Sequence, residues 1–153
     1  MTLAFELATL HPVKDSPLLH GIVTIVDDDT QISRALGLWL DLQGLRAVHH
    51  TSGESLLQSI YVEEGELTFH LGDTAPIVMP LLGAVIDLNL PGINGIELAK
   101  ALQQMSPTLP IVLITALREE ERVRYGALPP GIRCLKKPFD LDVLEDALFP
   151  LLS

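Results

Sequence analysis

The feature that most constrains the fold of this chain is a series of short apolar runs that each stop at a polar side chain. The run 21–26 is followed by Asp27, and the run 81–86 is followed by Asp87. Runs this short, rich in Val, Ile and Leu and without polar alternation, are typical of strands that are buried on both faces. Further strands are predicted at 45–49, 110–114 and 132–135.

Segments with helical periodicity separate these runs, so that strand and helix alternate five times. Helices are predicted from Asp29, at 54–61, from Asn94, in the weakly helical segment 117–126 and from Asp140. Asn94 and Glu97 have the spacing of a capping box, in which each side chain accepts a backbone N–H of the other residue. The alternation predicts an α/β fold with a doubly wound parallel sheet and helices on both faces.

The charge balance and the apolar content limit what this chain can bind. Its 153 residues include 10 basic and 20 acidic side chains, for a formal charge of −10. Nucleic-acid binders need a basic face, so we expect no direct nucleic-acid binding.

The longest apolar stretch, 77–86, contains Pro80 and falls well short of the roughly 20 residues that cross a bilayer. A single cysteine, Cys134, and no export signal indicate a cytoplasmic protein without membrane association.

Polar side chains follow four of the five predicted strands: Asp27, Asp28, Asp87, Thr115 and Lys137. Because ligands of open parallel sheets bind outside the carboxyl ends of the strands, these residues are expected to meet at one edge. Three carboxylates repel one another unless a cation such as Mg²⁺ neutralises them. A lysine and a hydroxyl beside that ion suit a phosphoryl group that a carboxylate attacks. The site therefore favours an aspartyl phosphate.

Four segments around these residues resemble the signature of bacterial receiver domains, the phosphoacceptor domains of two-component response regulators. They are 25–29, 85–92, 114–116 and 137–139. The spacings of 28 positions from Asp87 to Thr115 and 22 from Thr115 to Lys137 also fit the family. The resemblance covers residues 21–152. It implies a flavodoxin-like fold with a five-stranded parallel sheet in the order 2-1-3-4-5.

The resemblance also implies a role for each acidic residue of the site. Asp87 would be the phosphoacceptor and a Mg²⁺ ligand, and Asp28 would bind Mg²⁺ directly. Asp27 would act on the ion through water, and Asn89 would supply its backbone carbonyl.

The remaining site residues would bind the phosphoryl group and transmit the signal. Thr115 and Ala116 would bind its oxygens, and Thr115 would move on activation. Lys137 would pair with the phosphate, aimed by a cis peptide bond before Pro138, where such bonds are usual. The family's aromatic switch position is occupied here by Cys134, which is too small to act as the same lever.

A receiver domain of this kind switches partners and is not itself expected to be an enzyme. Its phosphodonor would be a sensor histidine kinase or a phosphotransfer protein, and its target an unknown downstream partner or output domain. The sequence leaves open whether the domain forms a homodimer. It also leaves open whether an output domain follows Ser153.

The chain departs from the family in other places. Residues 1–20 are predicted to be a leader ahead of a receiver domain at 21–153. The segment 62–80 is predicted to be an insertion with surface structure, with a hairpin around 67–71 that packs beside the second helix and the third strand. The fourth helix is expected to be short. Without an aromatic switch, phosphorylation is expected to act mainly by reordering the loop 116–122.

Two other functions remain as alternatives. One is a haloacid-dehalogenase-type phosphohydrolase, which also uses a nucleophilic aspartate. Asp27 and Asp29 fit its first motif, but Gln31 does not. The other is a pseudo-receiver that works without phosphate: the intact site argues against it, whereas Cys134 and the altered fourth helix leave it open. Asp29 is more simply explained as a helix cap, and a metal site at the neighbouring residues 49–50 is disfavoured because adjacent strand residues face opposite sides.

Overall fold

The computed structural model describes residues 21–63, 66–71 and 77–149, and the predicted leader lies outside them. The strands are β1 (Ile22–Val26), β2 (Arg46–His50), β3 (Ile60–Glu63), β4 (Glu66–Leu71), β5 (Ile77–Asp87), β6 (Ile111–Thr115) and β7 (Arg133–Lys136). The helices are α1 (Thr30–Leu42), α2 (Gly53–Leu57), α3 (Gly95–Met105), α4 (Glu119–Arg122) and α5 (Leu141–Leu148), with a 3₁₀ turn at Val123–Tyr125. In this part of the chain, no helix has the length and apolar character of a membrane span.

Five strands form the parallel sheet that the alternation predicted. β1 lies between β2 and β5, and β6 lies between β5 and β7. The spatial order β2-β1-β5-β6-β7 is the predicted 2-1-3-4-5, so the fold class is confirmed. The register places Val26 opposite Ile86, and Asp87 opposite Ile114. The ends of the central strands are therefore level, which brings the residues that follow them to one edge.

The sheet has seven strands rather than five, because β3 and β4 form an antiparallel hairpin that pairs with the start of β5. A hairpin beside the third predicted strand was expected and is present, although it begins at Ile60, but the prediction that it is surface structure was wrong. Leu67 and Phe69 are each only 2% exposed and belong to the core. Their alternation along β4 puts both on the face that packs inward.

The second helix ends earlier than predicted. It spans Gly53–Leu57 instead of 54–61, and the Ser52 side chain caps it by accepting the Ser55 N–H at 3.2 Å. The next residues, Ile60 to Val62, are β-branched or aromatic and pair with β4, an environment that such side chains favour. The fourth helix is short, as predicted, with four residues.

Alternate residues of the sheet feed two apolar layers, one on each face. On β1, Ile22 and Val26 pack in the layer that contains α2, α3 and the hairpin. Val23 and Ile25 pack in the layer that contains α1 and α5. With both faces covered, the three central strands β1, β5 and β6 are mainly apolar, and the acidic residues of the site follow β1 or end β5.

Candidate functional site

The strand ends bring three carboxylates together at the carboxyl edge of the sheet. Asp27 and Asp28 follow β1, and Asp87 is the last residue of β5. One carboxylate oxygen from each of these side chains lies within 4.8 Å of the others. Asp27 is 2% exposed and Asp87 6%, whereas Asp28 is exposed. Two carboxylates are thus held in the protein, and the third faces solvent beside them.

Lys137 connects the two buried carboxylates. Its Nζ lies 3.0 Å from Asp27 Oδ2 and 3.0 Å from Asp87 Oδ2. The backbone N–H of Lys137 donates to Thr115 O at 2.7 Å, and the Lys137–Pro138 peptide bond is cis. Burial opposes the charge of the amine, but the hydrogen bonds to the two carboxylates outweigh it, so the pKa of Lys137 is raised. The ammonium therefore stays charged where an anion would bind.

The environment of Asp27 disfavours its charge. Burial raises the pKa of this carboxyl above its ordinary value, and the nearby charge of Asp87 acts in the same direction. The backbone N–H of Asp29 and the amine of Lys137 lower it, but by less. A carboxylate pair with one ammonium keeps excess negative charge, which a divalent cation would neutralise.

Backbone N–H groups fix the orientation of both buried carboxylates. Asp29 N donates to Asp27 Oδ1 at 2.8 Å, and Asn89 N donates to Asp87 Oδ1 at 3.0 Å. The other oxygen of each carboxylate is the one bonded to Lys137. The Asp29 side chain itself accepts the N–H groups of Gln31 and Ile32, so it caps α1 and is not part of the acidic cluster.

Thr115 ends β6 on the other side of β5 and is 2% exposed. Its Oγ1 accepts the backbone N–H of Leu117 at 3.0 Å, which ties the hydroxyl to the loop before α4. The O–H can still donate to an anion. Ala116, the next residue, is exposed beside it.

The structure adds positioning residues that the sequence did not reveal, all of them around the loop after β5. The Glu54 carboxylate accepts the Ile93 N–H at 3.1 Å from its place at the start of α2. Gly95 lets α3 begin close to the site, because a Cβ there would lie 2.5 Å from Asp87 O. The hydroxyl of Tyr125 lies 3.2 Å from Asn89 Oδ1. The contacts of Glu54 and Tyr125 join residues that are distant in sequence, so no local pattern predicts them.

Cys134 and the neighbouring histidines stand apart from this cluster. Cys134 is half-buried on β7 opposite Leu113, and burial raises the pKa of its thiol. His50 is buried, with its Nδ1 2.9 Å from Ser55 Oγ, while His49 is exposed. Their opposite exposure agrees with the prediction that the two rings point to different faces.

Known proteins share both the sequence signature and the fold. The family model of the response regulator receiver domain matches residues 83–149. The chain is 29% identical over 123 residues to the DNA-binding transcriptional regulator NtrC of Escherichia coli K12, covering 80% of this chain and 23% of NtrC. A cyclic di-GMP phosphodiesterase of Thermotoga maritima is 26% identical over 123 residues, covering 80% of this chain and 28% of that enzyme. A response regulator receiver protein from Sinorhizobium medicae WSM419 superposes with a TM-score of 0.62 at 22% identity, covering 86% of this chain and 94% of that one.

The structure thus defines an α/β domain with a doubly wound sheet, and three aspartates and a lysine form an acidic pocket at its carboxyl edge. The chain is similar in sequence to the receiver domains of response regulators, and its fold is that of a receiver protein. It is a receiver domain of two-component signalling, with an acidic pocket that fits a phosphoacceptor site. The chain spans about a quarter of the length of the curated relatives it matches.

Proposed function

We propose that this domain accepts a phosphoryl group on Asp87 and thereby switches its interactions with a downstream partner or output domain. The observation that carries the proposal is the single ammonium, Lys137 Nζ, held 3.0 Å from both Asp27 Oδ2 and Asp87 Oδ2 at the strand ends. Asp87 differs from Asp27 because it ends the central strand, β5, beside Thr115 on the neighbouring strand. It is the carboxylate with a hydroxyl and a lysine both placed to receive a phosphoryl group.

In the proposed transfer, an Asp87 carboxylate oxygen attacks the phosphorus of a phosphohistidine. The new O–P bond forms as the P–N bond breaks, and the histidine ring keeps the electron pair and takes up a proton. Lys137 holds positive charge next to the transferred oxygens, and the Thr115 hydroxyl donates to one of them. Before the transfer, the ammonium is hydrogen-bonded to the Asp87 carboxylate. After the transfer, it is hydrogen-bonded to the phosphoryl group instead.

The donors at this edge suit Mg²⁺. Hard cations prefer carboxylate and carbonyl oxygens, and the three carboxylate oxygens within 4.8 Å of one another are of this kind. We assign Asp28 and Asp87 as direct ligands, Asn89 as a ligand through its backbone carbonyl, and Asp27 as a partner through water. The bound ion would neutralise charge on the transferred group. Asp28 is the exposed member of the set and so the one that meets the hydrated ion first.

The partners follow from this chemistry. The donor is a sensor histidine kinase or phosphotransfer protein, and a small acyl phosphate can replace it in a test. The domain signals by changing its contacts and is not itself an enzyme. We place it in the cytoplasm with its kinase, and we propose no direct contact with nucleic acid, since the chain carries a formal charge of −10.

Labelling with acetyl phosphate and Mg²⁺ tests the proposal. Intact-mass spectrometry should show one phosphoryl group on the parent chain, and peptide mapping should place it on Asp87. Asp87→Asn should not be labelled, because an amide is not a nucleophile. An Asp87→Asn variant labelled as well as the parent would overturn the assignment.

A matched pair of neighbouring aspartates tests the metal assignment. Asp28→Asn should weaken Mg²⁺ binding by roughly tenfold or more, because loss of even an indirect partner of a metal typically costs 10- to 100-fold. Asp29→Asn should leave Mg²⁺ affinity almost unchanged, because Asp29 caps α1. Titration calorimetry of both variants provides the comparison. Equal losses would remove Asp28 from the ligand set.

A further inference from the structure

The 3₁₀ turn after α4 touches the phosphoacceptor loop through one side chain. The hydroxyl of Tyr125 lies 3.2 Å from Asn89 Oδ1, although 36 positions separate the two residues. The Tyr125 ring is half-buried and packs against the core layer beneath. The side chain therefore has an anchored ring and a polar tip that reaches the loop after β5.

Asn89 links that tip to the site. Its backbone N–H donates to Asp87 Oδ1 at 3.0 Å, and its side-chain oxygen meets Tyr125. Asn89 is itself exposed, so its amide is free of packing constraints that would hold it in one rotamer. Two hydrogen bonds in series thus lead from the Asp87 carboxylate to the turn at 123–125.

The segment 118–125, which contains α4 and the 3₁₀ turn, is stabilised mainly by interactions among its own residues. Its ion pairs, Arg118 with Glu121 and Arg122 with Glu119, are internal i,i+3 pairs at 3.4 Å, and each has at least one largely exposed partner, although the Arg122 side chain is only 18% exposed. Such pairs contribute little to stability. The segment also carries Val123, which is 55% exposed. The contact between Tyr125 and Asn89 fixes the end of this segment to the site, so its loss would change the position of residues 119–125.

We propose that Tyr125 is a positioning residue that couples phosphorylation of Asp87 to the segment 119–125, through Asn89. The proposal rests on the function proposed above. Phosphorylation adds anionic oxygens next to Asn89, and a charge-assisted hydrogen bond from its side-chain NH₂ to them is stronger than the neutral contact with Tyr125. Asn89 turns toward the phosphoryl group, the Tyr125 contact breaks, and the turn at 123–125 loosens. Cys134 packs on the same core layer but has no ring to play this part.

The tyrosine content of the chain makes the contact directly observable. There are two tyrosines, Tyr61 on the hairpin and Tyr125, so 3-fluorotyrosine labelling of the full chain gives two ¹⁹F resonances. Tyr125→Phe and Tyr61→Phe assign them. With Mg²⁺ and beryllofluoride, the Tyr125 resonance should shift and the Tyr61 resonance should change much less. Equal shifts of both resonances, or an unmoved Tyr125 resonance, would overturn the proposal.

Asn89→Ala tests whether Asn89 carries the coupling, since it keeps the backbone carbonyl and removes only the amide. Without beryllofluoride, its Tyr125 resonance should already lie near the position that the activated parent adopts. Addition of beryllofluoride should then move it little. A Tyr125 resonance in Asn89→Ala that matches the resting parent would show that the side chains are not coupled.

Amide hydrogen exchange gives a readout that a merely structural role would not move. In the parent, beryllofluoride should speed exchange across 119–125, by about two- to tenfold for the loss of one hydrogen bond. In Tyr125→Phe this response should be mostly lost, while acetyl phosphate labels Asp87 as in the parent. An undiminished response in Tyr125→Phe would overturn the coupling alone. A parent that neither is labelled nor binds beryllofluoride would overturn the proposed function and the coupling with it.

Discussion

The two ends of β5 differ in almost every physical property. Its first residues, 77–80, pair antiparallel with the hairpin strand β4, next to the buried side chains of Leu67 and Phe69. Its last residue, Asp87, is a buried carboxylate bonded to an ammonium. One strand therefore joins a region of apolar packing to a region of buried charge.

The difference shows that the hairpin end of β5 stabilises the folded domain, whereas the buried charges at the Asp87 end destabilise it. Apolar burial at the hairpin end lowers the free energy of the folded state by about 25 cal/mol per Å². At the site, the desolvation of ionised groups opposes folding, as the raised pKa of Asp27 records. Residues at the two ends should therefore respond to substitution in opposite ways.

The largest expected effect on stability is at the hairpin. Phe69→Ala should lower the free energy of unfolding by about 3–5 kcal/mol, because it removes a fully buried aromatic side chain and leaves a cavity. Urea denaturation measures this. Protein that remains folded should still be labelled at Asp87, since the substitution leaves the carboxylates in place.

Val62→Ala is the matched control on the same hairpin. Val62 is 48% exposed, so its truncation should change the free energy of unfolding by only about 0.5 kcal/mol or less. If Phe69→Ala is no more destabilising than Val62→Ala, then β3 and β4 do not contribute to the core.

A smaller effect of opposite sign is expected at the site. Asp87→Asn should raise the free energy of unfolding by roughly 1 kcal/mol in the absence of Mg²⁺, since two buried carboxylates share one ammonium. Asn keeps the shape and leaves Lys137 paired with Asp27. Urea denaturation in EDTA, where no divalent cation offsets the repulsion, provides the measurement. A loss of stability would show that the Asp87–Lys137 pair stabilises the fold on balance.

The contrast between the two ends also explains what the sequence could predict. Each site residue follows a short apolar run, and the register of a parallel sheet makes the ends of such runs neighbours. The positions of Asp27, Asp28 and Asp87 could thus be predicted from local patterns. The hairpin could be predicted as an element, but its burial depends on whether α2 and α3 leave an apolar surface for it, which is a tertiary property.

The positioning residues were missed for the same reason. Glu54 precedes its partner Ile93 by 39 positions, and Tyr125 follows Asn89 by 36. Nothing in a single sequence separates such a glutamate or tyrosine from an ordinary surface residue. Gly95 offered the one local signal, a glycine directly after the helix cap Asn94, where a side chain would meet the Asp87 backbone.

The smallest expected effect concerns Cys134, which lies on β7 and is the sole cysteine of the chain. Burial raises the pKa of its thiol, and the opposing charge of Arg122 does not cancel this effect. Only the thiolate is nucleophilic, so a raised pKa lowers the reactive fraction at neutral pH. Iodoacetamide should react slowly at pH 7, and the rate should climb as the pH rises past the ordinary thiol pKa of about 8.5. At every pH below about 8.5, the urea-unfolded chain should react faster than the folded chain.

Beryllofluoride should change this rate by less than about twofold, because rotation of a thiol moves little volume and exposes little surface. The signal would then leave the site through the segment 119–125 and not through β7. Alkylation at pH 7 with and without beryllofluoride, followed by intact-mass spectrometry, measures the reaction rate of the Cys134 thiol and its change on activation. A folded chain that reacts as fast as the unfolded chain would show that the thiol is exposed. A large acceleration by beryllofluoride would place the conformational change at Cys134, where the aromatic switch of the family lies, and would give β7 the role proposed here for Tyr125.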